Sequence, residues 1–275
     1  MHSHGQPSHR RFFIGLARAF AGAVIFALPL LMTMEMWWLG FTMAAWKIAL
    51  LLVLFFPFLV ALSWHVGFEP TFSWRDDVVD ALVAYAVGFV AGALLLWLLG
   101  ELRADMSDRE LVGKVALQAV PGSIGALLSQ TQLGERDQPG EARGGEAGYW
   151  SDLFIMGTGA LFLAFNLAPT EEMVMIAFKL SQPAIVGLMA ASLVAMHSFV
   201  YAVSFRGRPD DHSRASATSV FLRFTVTGYM LALAISAYML WTFGRLDAGL
   251  SEAGRAVVVL GFPAALGAAG AWLVV

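Results

Sequence analysis

The chain has 275 residues, of which 59% are hydrophobic and 13% charged, and its formal net charge is −3. A soluble domain is about 25% charged, so this composition indicates a protein whose main partner is the lipid bilayer. The chain contains no cysteine, which excludes disulfides, thiolate metal sites and cysteine nucleophiles. The small net charge, without a basic run, argues against a nucleic-acid partner.

A short polar tail and a long apolar run open the chain. The tail, residues 1–13, is expected in the cytoplasm, and the run covers residues 14–34. A bilayer core takes about 20 apolar residues as helix, whereas an export signal has a shorter core followed by a small-residue cleavage site. No such site follows this run. We therefore predict that it is retained as the first membrane-spanning helix.

Further apolar runs of similar length follow. They cover residues 41–65, 78–100, 151–168, 183–205, 220–243 and 255–275. A weaker segment, residues 111–128, contains Lys114, Gln118 and Pro121. It is either another span or a surface or re-entrant segment.

The distribution of Lys and Arg decides between these alternatives, since cytoplasmic loops carry the excess of positive charge. Arginines occur in the loop at 206–214 and in the polar stretch at 130–150. Only a crossing at 111–128 brings both loops to the same side as Arg10 and Arg11. We therefore predict about eight spans, with both termini in the cytoplasm.

The stretch at 130–150 is rich in glycine and charge, which is typical of a flexible linker. It separates two segments, 14–129 and 151–275, that resemble each other. Residues 22–36 align without a gap on residues 159–173, and about half of the aligned positions are identical. The similarity continues through the later helices, including the weaker segment. The two segments are therefore interpreted as an internal repeat.

Four crossings in each copy mean that both copies enter the membrane from the same side. The expected symmetry is then a pseudo-two-fold axis along the membrane normal. The predicted fold class is an all-α integral membrane protein of about eight transmembrane helices, arranged as two tandem four-helix repeats with parallel topology.

Acidic side chains recur at aligned positions near the predicted outer ends of the first and fifth spans. The ion-binding or pore candidates are Glu35, Glu171, Glu172 and Asn166. An ionisable group close to hydrocarbon is costly and suggests function. If the two halves face each other, these groups form an acidic mouth that attracts a small cation. The alternative is that the acids stabilise helix ends and pair with Lys47 and Lys179.

Three more polar residues lie inside predicted spans. Asp80 and Arg223 lie at similar depths in the third and seventh spans, so they could form an ion pair between the halves. His197 lies well within its span, where it could serve in a proton relay or as a hydrogen-bonded packing residue. No catalytic triad, zinc-protease motif or phosphate-binding glycine loop occurs. We expect no cofactor, no metal and no catalytic residue.

These features favour a cation channel or secondary transporter over two other classes. One alternative is a non-transporting structural, lipid-binding or assembly protein, suggested by stripes of small residues on several helices. The other is an intramembrane enzyme that uses His197. A homo-oligomer is compatible with all three classes.

Three short blocks carry a resemblance to a known family. They are residues 11–19 (RFFIGLARA), 34–38 (MEMWW) and 168–172 (APTEE). Together they resemble a family of bacterial integral membrane proteins of unknown function, over nearly the whole chain. The resemblance implies a location in the bacterial inner membrane, and it brings no assigned activity or catalytic residue.

Overall fold

A computed structural model describes residues 9–66, 74–133, 148–205, 217–247 and 249–274, and within these ranges the regular structure is helical throughout. Eight of the helices are long and apolar enough to cross a membrane. The prediction of an all-helical membrane protein with about eight spans is confirmed. The arginine-rich loop at 206–214 and most of the predicted linker lie outside the described residues.

The chain divides into two compact units, Met1–Arg143 and Gly144–Val275. In its described residues the first unit contains five helices: α1 (His9–Leu31), α2 (Met34–Thr42), α3 (Ala45–Val66), α4 (Trp74–Leu98) and α5 (Asp108–Leu133). Helix α2 is too short to cross a bilayer core. It follows a break at Thr33, whose backbone is extended and whose hydroxyl donates to the carbonyl of Leu30 at 2.7 Å.

Helix α5 forms the core of the first unit. It packs against α1, α2, α3 and α4, and every residue from Gly113 to Leu127 is buried. Its candidate span, Asp108–Ser129, is 83% buried, whereas no other candidate span exceeds 50%. The polar residues that made this segment doubtful therefore face protein instead of lipid.

Glycines let the neighbouring helices approach α5 closely, since small residues allow backbones to touch. A Cβ atom at Gly125 would collide with the carbonyl oxygen of Gly22 in α1, and one at Gly113 with the carbonyl oxygen of Gly40 in α2. On the α4 side, a Cβ atom at Gly88 would lie 2.6 Å from the hydroxyl of Ser123. These contacts position α5 against three helices at once.

The described residues of the second unit are also built of helices. They are α6 (Tyr149–Leu167), α7 (Glu171–Lys179), α8 (Gln182–Phe205), α9 (Ala217–Val220), α10 (Thr227–Thr242) and α11 (Leu250–Val274), with a π-helical segment, Phe221–Val226, between α9 and α10. Helix α11 packs against α6, α7, α8 and α10. Its contact with α6 is made through Gly267 and Gly159.

Two short helices, α2 and α7, were not predicted from the sequence. The prediction placed Glu35 and Glu172 at the outer ends of the first and fifth spans, but those spans end earlier. Glu35 lies in the first turn of α2 and Glu172 in the first turn of α7. The apolar composition of α2 made it look like a continuation of the span before it, and only the backbone break separates them.

Candidate functional site

A buried lysine lies inside one of the candidate spans. Lys114 belongs to the span Asp108–Ser129, and its side chain is 4% exposed. An ammonium group taken out of water without partners costs several kcal/mol. The contacts of this side chain therefore decide whether the first unit can tolerate it.

Three oxygen atoms surround the Lys114 ammonium. Nζ donates to the main-chain oxygen of Glu101 at 3.2 Å and to Oε2 of the same residue at 3.3 Å. It pairs with Oε1 of Glu110 at 3.2 Å, and Sδ of Met106 lies at 4.0 Å. An ammonium has three N–H donors, so the three oxygens match its donors in number. We call Glu101, Met106 and Glu110 the Lys114 cage.

Local structure positions both glutamates of the cage. Glu110 lies one helical turn before Lys114 on α5, which is the i,i+4 spacing that favours an ion pair. Glu101 follows Gly100, which ends α4 with a φ of 77°. The amide of Glu101 donates to the carbonyl of Leu96 at 2.8 Å, as in a Schellman C-cap. This turn sets the direction of the Glu101 backbone, whose carbonyl accepts from Lys114.

Helix α2 covers the stem of the lysine. A Cβ atom at Gly40 would lie 2.5 Å from Cγ of Lys114 and 2.8 Å from its amide nitrogen. The aliphatic part of the side chain thus packs on α2 while the charged end reaches the cage, as long basic side chains commonly do. The Glu101 and Glu110 side chains are 25% and 24% exposed, so solvent reaches the carboxylates although it barely reaches the lysine.

One turn further along α5, Gln118 is 1% exposed. Its Oε1 atom has no hydrogen-bond partner among the described residues. Ser123 and Ser129 are also buried, but their hydroxyls donate to carbonyls within α5. An unpaired buried acceptor costs about 1–3 kcal/mol, so Gln118 is the polar side chain of α5 whose burial needs an explanation.

The predicted acidic mouth residues lie at the starts of the two short helices. Glu35 is half-buried, whereas Glu171 and Glu172 are exposed. Carboxylates in a first turn interact favourably with the positive end of the helix, which gives them a local role. In the described part of the chain, none of the three pairs with Lys47 or Lys179 or with another basic residue.

One of the two polar groups of the Asn166 side chain forms a hydrogen bond within its own helix. Its Nδ2 atom donates to the carbonyl of Phe162 at 2.7 Å, one turn back. Its Oδ1 atom has no partner among the described residues.

Asp80 and Arg223, proposed to pair between the halves, have neighbours within their own units. Asp80 accepts a hydrogen bond from the hydroxyl of Ser63 at 3.4 Å. The guanidinium of Arg223 lies 5.1 Å from the ring centroid of Tyr149, which is the geometry of a cation–π contact. A pairing between Asp80 and Arg223 stays a prediction.

His197 packs against the π-helical segment. Its Nδ1 atom lies 3.0 Å from the hydroxyl of Thr225, and its ring meets Phe221 edge-on at 5.2 Å. In the described part of the chain, the hydrogen bond of this histidine goes to a hydroxyl and not to a carboxylate. No group of three His, Asp or Glu side chains within the described residues could hold a metal ion.

Lys114, Glu101 and Glu110 were not among the site residues predicted from the sequence. The i,i+4 spacing of Glu110 and Lys114 was visible in the sequence and could have indicated the pair. Glu101 has no such signal, because the turn between α4 and α5 brings it to the lysine.

The chain belongs to a protein family described as "Putative integral membrane protein (DUF2391)", whose model matches residues 15–275. The resemblance stated from the sequence is thereby confirmed. Comparison with curated proteins and with solved structures gave no match.

Proposed function

We propose that this member of the family is a cation channel or secondary transporter in which the Lys114 cage binds the ion. The observation that carries the proposal is the ammonium of Lys114, held by three oxygen atoms inside a candidate span. Ionisable residues within a membrane mark ion pathways more often than packing sites, because their burial is costly.

The oxygen chemistry of the cage fits a cation. Carboxylate and carbonyl oxygens are the groups that replace the hydration shell of an ion in selective pores. With both carboxylates ionised, the cage holds two negative charges against the single positive charge of Lys114. The site therefore attracts cations and repels anions.

A second part of the proposal is the tandem repeat with parallel topology, in a bacterial inner membrane with both termini cytoplasmic. Aligned glycines support it. Gly22 contacts Gly125 in the first unit, and Gly159 contacts Gly267 in the second. Gly100 and Gly244 also align, and they end their helices with φ values of 77° and 70°.

The two units differ in chemistry at the cage. In the sequence alignment Glu101 corresponds to Arg245 and Lys114 to Arg255. The guanidinium of Arg255 donates to the carbonyl of Leu180 at 3.2 Å, and that of Arg245 donates to a main-chain carbonyl as well. Two cations at these positions would not attract a third, so we assign the cation site to the first unit.

The acidic mouth is kept as a separate element of the proposal. Glu35 and Glu172 occupy aligned positions at the starts of α2 and α7, and a pseudo-two-fold axis would place them at equal distances from it. Negative charge at an entrance raises the local cation concentration. Glu35→Gln and Glu172→Gln should therefore lower the rate of ion entry at low ionic strength, more than at high ionic strength.

Ion flux into proteoliposomes tests the function. Purified wild-type protein should pass K⁺, Na⁺ or protons, and Glu101→Gln should reduce that flux by at least tenfold because it removes a carboxylate of the cage. The matched control is Asp105→Asn in the same loop, whose carboxylate pairs with Arg103 on the surface. This control should keep wild-type flux.

The outcome also separates transport from a structural role. A folded wild-type protein that passes none of these ions contradicts the proposal. Equal flux through wild type and Glu101→Gln would show that the cage is not part of the ion pathway. If flux is absent and Glu101→Gln only lowers the melting temperature, the cage has a structural role. The close packing around α5 then favours the non-transporting alternative.

A further inference from the structure

We propose that helix α2 is a lid over Lys114 that the bilayer holds in place. Its side chains Met34, Trp38 and Phe41 insert at the boundary between the lipid headgroups and the acyl chains. This lipid-contacting surface does not depend on whether the Lys114 cage passes an ion, so its test is separate from any measurement of ion flux.

The position of α2 between two candidate spans places it at a membrane surface. The span before it ends at Leu31 and the next one begins at Ala45, and the link between two consecutive spans lies at one face of the bilayer. The nine residues of α2 rise about 14 Å as a helix, which is about half of the hydrocarbon thickness. Helix α2 is therefore confined to the surface region of the membrane.

One side of α2 covers the start of α5. Met36, Leu39 and Gly40 are buried, and a Cβ atom at Gly40 would lie 2.9 Å from Cα of Lys114. The two helices leave no space for water between their backbones at this point. Moving α2 away from α5 would therefore open the aliphatic stem of Lys114 to solvent.

The opposite side of α2 is apolar and exposed. Met34, Trp38 and Phe41 are spaced four and three residues apart, which places them on one face of a helix. Their exposed fractions are 67%, 62% and 38%, and the rings of Trp38 and Phe41 contact each other with centroids 5.6 Å apart. We call these three residues the lipid face of α2.

The chemistry of the lipid face fits a bilayer boundary. Tryptophan favours the headgroup level because its ring is apolar while its N–H stays hydrated. A stable interface with a second copy of the chain would bury roughly 800 Å² per partner, which three side chains on a short helix do not supply. Lipid is therefore the favoured occupant of this face.

Hydrogen bonds at both ends of α2 fix the direction of the lipid face. The indole of Trp37 donates to the carbonyl of Leu31, the last residue of α1, at 2.7 Å. At the other end, the guanidinium of Arg109 in α5 donates to the carbonyl of Met43 at 3.4 Å. These bonds tie α2 to its neighbours on both sides, so Trp38 is held on the exposed side.

Acetylation of lysine tests the lid. The chain has three lysines, Lys47, Lys114 and Lys179, so mass spectrometry follows each one separately against an added peptide standard. In phosphatidylcholine liposomes Lys114 should react most slowly, because it is buried and paired with carboxylates. Trp38→Gln combined with Phe41→Gln should raise its rate about tenfold, since two large apolar side chains lose their burial in lipid.

The aligned positions of α7 provide the matched control. Met175 and Phe178 correspond to Trp38 and Phe41 and are also exposed, but α7 packs against α11. Met175→Gln combined with Phe178→Gln should therefore leave the rate at Lys114 unchanged. An unchanged rate in the α2 variant would overturn the lid, and an equal rise in both variants would contradict it as well.

Spin labels on single cysteines measure the depth of the lipid face directly, because the chain has no cysteine of its own. Labels at Trp38→Cys and Phe41→Cys should lie roughly 5–10 Å into the boundary region. A label at Val53→Cys, exposed in the middle of the next span, should lie deeper. A label at Glu171→Cys, where the carboxylate is exposed, should contact water.

The depth measurement keeps the proposal testable even if the double variant of α2 does not fold, since each labelled protein carries a single change. Water contact at positions 38 and 41 equal to that at Glu171→Cys would refute insertion into lipid. Labels that meet neither lipid nor water would mean that protein covers this face, such as a second copy of the chain, and would also overturn the proposal.

Discussion

Two glycines at aligned positions, Gly113 and Gly254, have different surroundings. A Cβ atom at Gly113 would collide with the backbone of Gly40, whereas nothing lies within 4 Å of a Cβ atom at Gly254. Backbone atoms cannot rotate away as side chains do. The sequence alone does not distinguish the two glycines, because both lie near the start of a long apolar helix.

Alanine at these two glycines should therefore have opposite effects. Gly113→Ala should destabilise the protein by about 1–3 kcal/mol through overpacking against α2. Gly254→Ala should be neutral or stabilise by up to about 1 kcal/mol, because alanine loses less backbone entropy in a helix. Thermal unfolding of both variants in the same detergent measures the difference. Equal melting temperatures would mean that α2 does not press on α5 at this point.

At the scale of single elements, the ends of α4 and α10 show how a turn can place a functional group. Gly100 and Gly244 both have positive φ and open space around them. Their next residues, Glu101 and Arg245, both donate their amides back to the preceding helix at 2.8 Å. The glycine turn has the same backbone conformation in each unit, but only the turn of the first unit brings a carboxylate to Lys114.

Alanine at either turn should cost similar stability but differ in its effect on the cage. Both Gly100→Ala and Gly244→Ala force an L-residue into the left-handed region, at a cost of about 1–2 kcal/mol. Only Gly100→Ala displaces Glu101, so it should also reduce ion flux. Melting temperature and proteoliposome flux, measured on both variants, test this. A loss of flux in Gly244→Ala alone would indicate that the cation site lies in the second unit.

The polar residues of α5 show where the prediction of membrane spans from hydropathy is weakest. Lys114, Gln118 and Pro121 lower the hydropathy of this segment, which made its crossing uncertain. The structure encloses the segment in protein, where Lys114 finds oxygen partners and the hydropathy rule for lipid-facing helices no longer applies. A helix at the centre of a unit needs fewer apolar residues than one at its edge.

For the whole molecule, the predicted topology can be mapped with single cysteines because the chain has none of its own. Asp105→Cys, between α4 and α5, should react with a membrane-impermeant maleimide on intact cells. Gln138→Cys, in the polar stretch that follows α5, should react only after the membrane is opened. Labelling of both cysteines from outside would mean that α5 does not cross the membrane and would refute the parallel repeat.

Three short residue blocks indicated the family, and the sequence also predicted the class of protein and the approximate number of spans. These follow from composition and from runs of apolar residues, which are local properties of the chain. The i,i+4 spacing of Glu110 and Lys114 is also local and was open to prediction. The short helix α2 was not, since the break at Thr33, whose backbone is extended, leaves no trace in hydropathy.

Which helix is enclosed and which side chains meet depends on the tertiary structure. Glu101 contacts Lys114 because a glycine turn folds the chain back between α4 and α5, and Gln118 loses its solvent because four helices close around α5. Burial and partnership depend on neighbours that are distant in the chain. A local pattern therefore indicates that a polar residue lies in a span, but not whether it is paired there or left free to bind an ion.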